Sequence, residues 1–179
     1  MAIHQIQIRF DETEDRLLLR LSTTDHCEFR FWLTRRFTRR LWTMLVQMLE
    51  WDRAVKQQLD AQTRNTVLDL QNEGYARQAD YSKGFEEPAE GAPRRLPLGE
   101  APVLLGKAEG RKRDDGVQML SLHPLHGTGI DMTLDTRLLH IFTRLLREQV
   151  ATTDWDVNLA LYAPAPADAP AAETPRTLN

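Results

Sequence analysis

Apolar and polar positions alternate through the first 33 residues in three successive runs. In the first run His4, Ile6, Ile8 and Phe10 fall on one side, with Gln5, Gln7 and Arg9 on the other. An acidic turn from Asp11 to Asp15 leads to a second run, where Leu17, Leu19 and Leu21 oppose Arg16, Leu18 and Arg20. After a polar turn over Ser22 to His26, Cys27, Phe29, Phe31 and Leu33 alternate with Glu28, Arg30 and Trp32. Side chains on a strand point to opposite faces with a period of two, so the pattern predicts three antiparallel strands sharing one apolar face.

Thr34 then stands where a helix N-cap is expected, its hydroxyl able to accept a free amide of the first turn. Phe37, Leu41, Met44, Leu45 and Met48 follow at helical spacing, and a weaker stripe continues through Trp51, Val55, Leu59, Val67, Leu68 and Leu70 to a stop at Gly74. An unbroken helix from Thr34 onward over this stretch would run on the order of 60 Å. That exceeds the width of a domain this small, so the second half of the helix is expected to overhang, bend or meet a partner. Residues 75–100, which include Gly84, Pro88, Gly91, Pro93 and Pro97, show no periodicity and read as a flexible linker.

Strand-like segments resume at 102–109, 117–123 and 129–134, and Asp135 is placed to cap a second helix with the stripe Leu138, Phe142, Leu145 and Leu146. Trp155, Val157, Leu159 and Leu161 alternate as a short last strand. From Ala163 to Asn179 the chain is mostly Ala, Pro, Asp and Thr, which cannot bury enough apolar surface to offset the entropy of ordering, and predicts a disordered tail. With an offset of 101 residues, Phe29, Phe31 and Leu33 match Ile130, Met132 and Leu134, Thr34 matches Asp135, and Phe37, Leu41, Met44 and Leu45 match Leu138, Phe142, Leu145 and Leu146. The expected fold is therefore α+β: two antiparallel three-stranded sheets, each followed by a helix, as in a duplicated βββα unit. One domain over 1–162 would join the halves 1–74 and 101–162 around a shared core.

Composition narrows the function classes. A formal charge of -3 argues against a wholesale polyanion or membrane binder while leaving room for a local basic patch. The single cysteine, Cys27, cannot form an intrachain disulfide. The amino terminus lacks the pattern of a signal peptide and no apolar run approaches the ~18–20 residues that span a bilayer, so the expected location is cytoplasmic.

The candidate chemistry lies mainly in arginines. Arg9, Arg16, Arg20 and Arg30, with Leu18 and Trp32, occupy the polar face of the first sheet. A hairpin centred on Thr24 would set Arg20 opposite Glu28, Leu18 opposite Arg30 and Arg16 opposite Trp32. Such a face could hold a single nucleic-acid strand, with phosphates on arginine and a base on the indole. The alternative is a solvated face with an Arg–Glu pair and an Arg–Trp cation–π contact. Arg35, Arg36, Arg39 and Arg40 crowd the start of the first helix, where cations oppose the dipole and anions are favoured. His123 and His126 flank a turn and His140 follows in a helix, but a zinc site needs further ligands, and none is expected. The glycines at 127 and 129 lack the remainder of a phosphate loop, no cofactor motif is present, and Ser22, Ser82 and Ser121 have no base beside them in sequence.

The stretch E-D-R-L-L-L-R-L…E-F-R-F-W-L-T-R-R-F, residues 14–37, resembles the signature of an uncharacterised family of bacterial proteins, and implies a bacterial source without an activity. Strands followed by a helix, repeated, are also similar to the Whirly and Pur-type single-strand binders, whose repeats usually have four strands before the helix where three are evident here. Two functional expectations follow. The first is a non-enzymatic binding or assembly protein, forming a homodimer or docking a protein partner through Trp51, Val55 and Leu59 on the helix overhang. The second is a single-strand nucleic-acid binder using Arg9, Arg16, Arg20, Arg30 and Trp32.

Overall fold

The computed structural model describes residues 3–51, 61–78 and 95–159. The alternation at the amino terminus becomes an antiparallel meander of β1 (Ile3–Asp11), β2 (Arg16–Thr23) and β3 (Glu28–Leu33). Its core face is formed by Ile8, Leu17, Leu19, Leu21, Phe29, Phe31 and Leu33, all buried. One expected member of that face is missing. A register shift between Ile3 and Gln5 turns His4 out to solvent and lets Ile3 pack against the core instead.

Turn chemistry fixes the register, and it differs from the expected one. The β1–β2 turn is built on Asp11, whose Oδ1 accepts the amides of Thr13 and Glu14, and it closes through Asp15 with φ 48. In the β2–β3 turn the Thr23 amide donates to the Cys27 carbonyl and His26 adopts φ 59, giving a three-residue loop centred on Asp25 rather than Thr24. Leu18 therefore faces Trp32, Arg20 faces Arg30 and Ser22 faces Glu28.

The first sheet has a fourth strand. Arg95 bridges Cys27 in parallel, and β4 (Val103–Leu104) then pairs in parallel with Phe31 and Trp32. The single segment expected at 102–109 is thus divided between two sheets. The Leu105 amide donates to Trp32 of the first sheet and the next amide, Gly106, donates to His123 of the second. The second sheet is a meander of β5 (Lys107–Lys112), β6 (Gln118–His123) and β7 (Ile130–Leu134).

Helix α1 (Arg35–Glu50) starts as expected, with Thr34 Oγ1 accepting the Phe37 amide, and ends at Trp51, whose amide donates to the carbonyls of Met48 and Leu49. No described helix spans Thr34 to Gly74. Helix α2 (Ala61–Gln78) passes through Gly74 without stopping and packs on α3 (Thr136–Val150), burying Leu68 and stacking Tyr75 on His140 at 5.1 Å. Of the stripe beyond Met48, Trp51, Val67 and Leu68 pack against the core within the chain, Leu70 is 65% exposed, and Val55 and Leu59 lie outside the described residues. Beyond α3 the chain is irregular through Leu159 instead of forming a strand. Trp155 is buried edge-on against Phe10, and its indole N–H donates to Asp15. Within the expected linker, residues 75–78 are helical and 79–94 lie outside the described residues, as does the expected tail.

The offset of 101 residues holds in detail. Left-handed residues recur at Asp15 and Gly116 and at His26 and Gly127. The pairs Leu19–Phe31 and Leu21–Phe29 recur as Leu120–Met132 and Leu122–Ile130. Asp135 accepts the Leu138 amide as Thr34 accepts that of Phe37, and buried Leu41, Leu45 and Leu49 correspond to buried Phe142, Leu146 and Val150. Each helix also reaches across to the other half. α1 packs on β5, where Met44 and Met48 lie against Gly110, and α3 packs on β1, where Gln149 Oε1 accepts the Phe10 amide at 3.3 Å. Lys112 Nζ donates to the Trp51 carbonyl at 2.9 Å. One hydrophobic core results, drawn from both halves.

Candidate nucleic-acid interface

All five sheet residues singled out in the sequence lie on the outer face of the first sheet, in cross-strand rows. Arg9, Leu18, Trp32 and Leu104 form one row, and Gln7, Arg20 and Arg30 the next. The centre of the face is an ion-pair cluster. Glu28, 2% exposed, accepts Arg20 Nε at 3.0 Å and Arg30 Nε at 2.7 Å on the same carboxylate oxygen. Arg20 also donates to Gln7 at 3.2 Å, and Arg30 to the Glu100 carbonyl at 3.3 Å. Arg16 pairs with Glu14 at 3.2 Å in solvent. The structure therefore brings the arginines together but engages three of them with carboxylates. The cross-strand neighbour of Trp32 is Leu18 rather than Arg16.

Five exposed arginines of the first sheet and of the helix that follows it have no ion pair among the described residues. Arg9 is exposed at the β1 end of the Trp32 row. β3 runs from Trp32 through Leu33 and Thr34 into α1, where Arg35, Arg36, Arg39 and Arg40 are all exposed. They point outward because the helix commits Phe37, Thr38, Leu41 and Trp42 to the core. The first turn of α1 contains no acidic residue, so the positive end of the helix dipole and the arginine charges add together. The row that begins at Arg9 is otherwise apolar: half-buried Leu18 and Trp32, and Leu104, which is 46% exposed.

The outer face of the second sheet holds a cavity of 370 Å³ that sequence reasoning did not find, lined by Lys107, Glu109, Arg111, Ser121, His123 and Asp131 among others. Asp131 is held below the usual carboxylate range by hydrogen bonds first from Ser121 and then from His123, with a smaller contribution from the Arg111 charge. His123 Nε2 lies 3.3 Å from Asp131 Oδ1. The carboxylate sits between hydroxyl and imidazole, so the order of a serine–histidine–acid triad is not formed here. Arg111 pairs with Glu109 at 2.9 Å, leaving the cavity close to charge balance. The signal was present in sequence only as the alternation of Met119, Ser121 and His123. It became a cluster when β7 set Asp131 opposite Ser121.

Of the residues expected at a protein interface, Trp51 is half-buried at the end of α1 and packs against the core, while Val55 and Leu59 lie outside the described residues. Among the described residues no cluster of His, Cys, Asp and Glu could hold a metal ion, and no helix is long and apolar enough to cross a membrane. Comparison with protein-family models, with curated proteins and with solved structures finds no match for the chain.

Proposed function

We propose that the protein is a non-catalytic binding module for single-stranded nucleic acid, seated at the Trp32 end of the first sheet. The observation that supports this reading best is the set of five exposed arginines without an ion pair among the described residues: Arg9 in the Trp32 row, and Arg35, Arg36, Arg39 and Arg40 on the helix that begins three residues beyond Trp32. A strand crossing this row would stack a base on the indole and lay phosphates along α1, the combination that single-strand binders use. Free arginine is what makes a phosphate site, because a guanidinium already satisfied by a carboxylate must first give up that partner. This moves the binding surface away from Arg20 and Arg30 toward the start of α1. The regular 101-residue offset fits an origin by duplication of one βββα unit, with β4 added to the first copy.

Fluorescence anisotropy with a labelled oligonucleotide at low ionic strength tests the proposal. Binding should weaken steeply with salt. The variant Arg35→Ala/Arg36→Ala/Arg39→Ala/Arg40→Ala should flatten the log–log salt slope by roughly 0.7 for each phosphate that is no longer neutralised. Trp32→Ala should cost about 1–3 kcal/mol of binding if one base stacks there. Absence of binding at low salt, or binding unaffected by the fourfold variant, would refute the proposal.

A further inference from the structure

Four strand edges end the two sheets, and three of them are blunted. β1 has the irregularity at Ile3 and Gln5, and α3 lies along it with Gln149 taking the Phe10 amide. β4 is two residues long and follows Pro102. β5 carries Lys107, Glu109, Arg111 and Lys112, contains Gly110 and is packed by α1. These are the devices by which proteins keep an edge from pairing with another chain. β7 has one exposed charge, Asp131, and otherwise none of them. Its sequence I-D-M-T-L contains no Pro, Gly, Lys or Arg, its register with β6 is unbroken, and no described residue is hydrogen-bonded to its outer side. The equivalent edge in the first half, on β3, is occupied by residues 95–104 of the chain.

We infer that β7 pairs with β7 of a second copy of this chain, antiparallel across a twofold axis at Met132, joining two three-stranded sheets into one. The register follows from side chains. Ile130, Met132 and Leu134 are buried while Asp131 and Thr133 are exposed, and residues directly opposite each other in a sheet share a face. The twofold must therefore pass through a residue. Centred on Asp131 it would oppose two Asp131 side chains, and centred on Thr133 it would oppose Asp131 to Asp135. A centre at Met132 avoids like charges and is the one that pairs all five residues of β7, setting each Asp131 carboxylate against the Thr133 hydroxyl of the other copy, a favourable cross-strand pair. The edge is self-complementary, which a twofold interface requires. A short strand pair of this kind gives a weak dimer at the small end of interface sizes.

Sedimentation velocity of the full chain over a rising concentration series tests this. The wild type should show concentration-dependent dimerisation. Thr133→Asp opposes two carboxylates twice and should weaken the dimer on the order of tenfold. The double variant Asp131→Thr/Thr133→Asp restores one carboxylate against one hydroxyl and should recover dimerisation. Thr133→Lys, which sets an ammonium against each Asp131, should strengthen it without touching Asp131. A chain that stays monomeric at high micromolar concentration overturns the inference. So does a dimer indifferent to Thr133→Asp, or one that neither the double variant nor Thr133→Lys restores or strengthens.

Discussion

Replacing Glu28 by Gln should destabilise the protein more than its position on an outer sheet face suggests. The substitution keeps side-chain volume and removes one charge. Glu28 is 2% exposed and serves Arg20 at 3.0 Å and Arg30 at 2.7 Å, two residues that sit directly opposite each other across β2 and β3. Without the carboxylate, two guanidinium groups on adjacent strands face each other. Like charges about 5 Å apart repel by about 3 kcal/mol at an effective dielectric of about 20. Removing one partner of a buried pair commonly costs about 3–5 kcal/mol. The arginine side chains are 14% and 26% exposed and can lean toward water, so the lower figure, about 3 kcal/mol, applies here. In a chain of this length that corresponds to a fall in melting temperature of roughly 6–12 °C. Thermal and urea unfolding followed by circular dichroism measure it. Adding Arg30→Gln to Glu28→Gln should recover part of the loss, since one of the two facing cations is then gone. Unchanged melting in Glu28→Gln, or a further fall when Arg30→Gln is added, would refute the account of a carboxylate holding two like charges together.

The remaining predictions concern packing and acid stability. Phe31→Ala, at a fully buried ring, should cost about 3–5 kcal/mol, whereas Trp32→Ala on the half-exposed outer face should cost clearly less; equal losses in urea unfolding would show both faces covered alike. Gly129→Ala would bring its Cβ against the Leu122 carbonyl and the His123 backbone, which cannot yield as a side chain would, and should lower stability by about 3 kcal/mol or more. Gly74→Ala, in a helix with open space around it, should instead raise stability by up to about 1 kcal/mol, and the opposite signs are checked in one series of melting curves. Asp131 has its pKa lowered below 3.8 in the folded state, so its contribution is present above that pH and is lost as pH falls through the lowered value; Asp131→Asn should flatten the acid limb of the stability profile, by a small amount because the side chain is 57% exposed.

The elements that repeat regularly over many residues were legible in the sequence. The strands around Leu19 and Phe31, both helix caps and the stripe of α3 follow from periodicity and from hydroxyl or carboxylate chemistry at fixed positions. What sequence missed is local or long-range. β4 is too short to show alternation, and its place beside β3 depends on pairing between residues some 70 positions apart, as in the hydrogen bond from Arg30 to the Glu100 carbonyl. The register of the second hairpin turned on one left-handed residue, His26, a conformation that a histidine side chain does not announce. The stripe through Leu68 was visible, but periodicity says only that a helix seeks cover, not whether that cover is another chain or α3. At the candidate interface the residue types, their shared face and the Arg20–Glu28 pair were legible, while the two-position change of register decided that Trp32 neighbours Leu18 rather than Arg16.

The exchange of helices between the halves has a consequence for how the chain is made. α1 is synthesised well before β5, the strand on which Met44 and Met48 rest, and α3 must return to β1, the first strand to emerge. A nascent chain ending after α2 would present methionines with no seat and a β1 edge with no lid. The amino-terminal half therefore cannot mature on its own at the ribosome, where chains otherwise tend to fold from the first domain onward. Native packing has to wait for nearly the whole of the described chain, and folding should proceed as one late, cooperative event governed by pairing between distant residues. A ribosome stalled between α2 and β5 would hold out a sticky, half-covered sheet, and chaperone capture of such stalled chains is where that burden would first be seen.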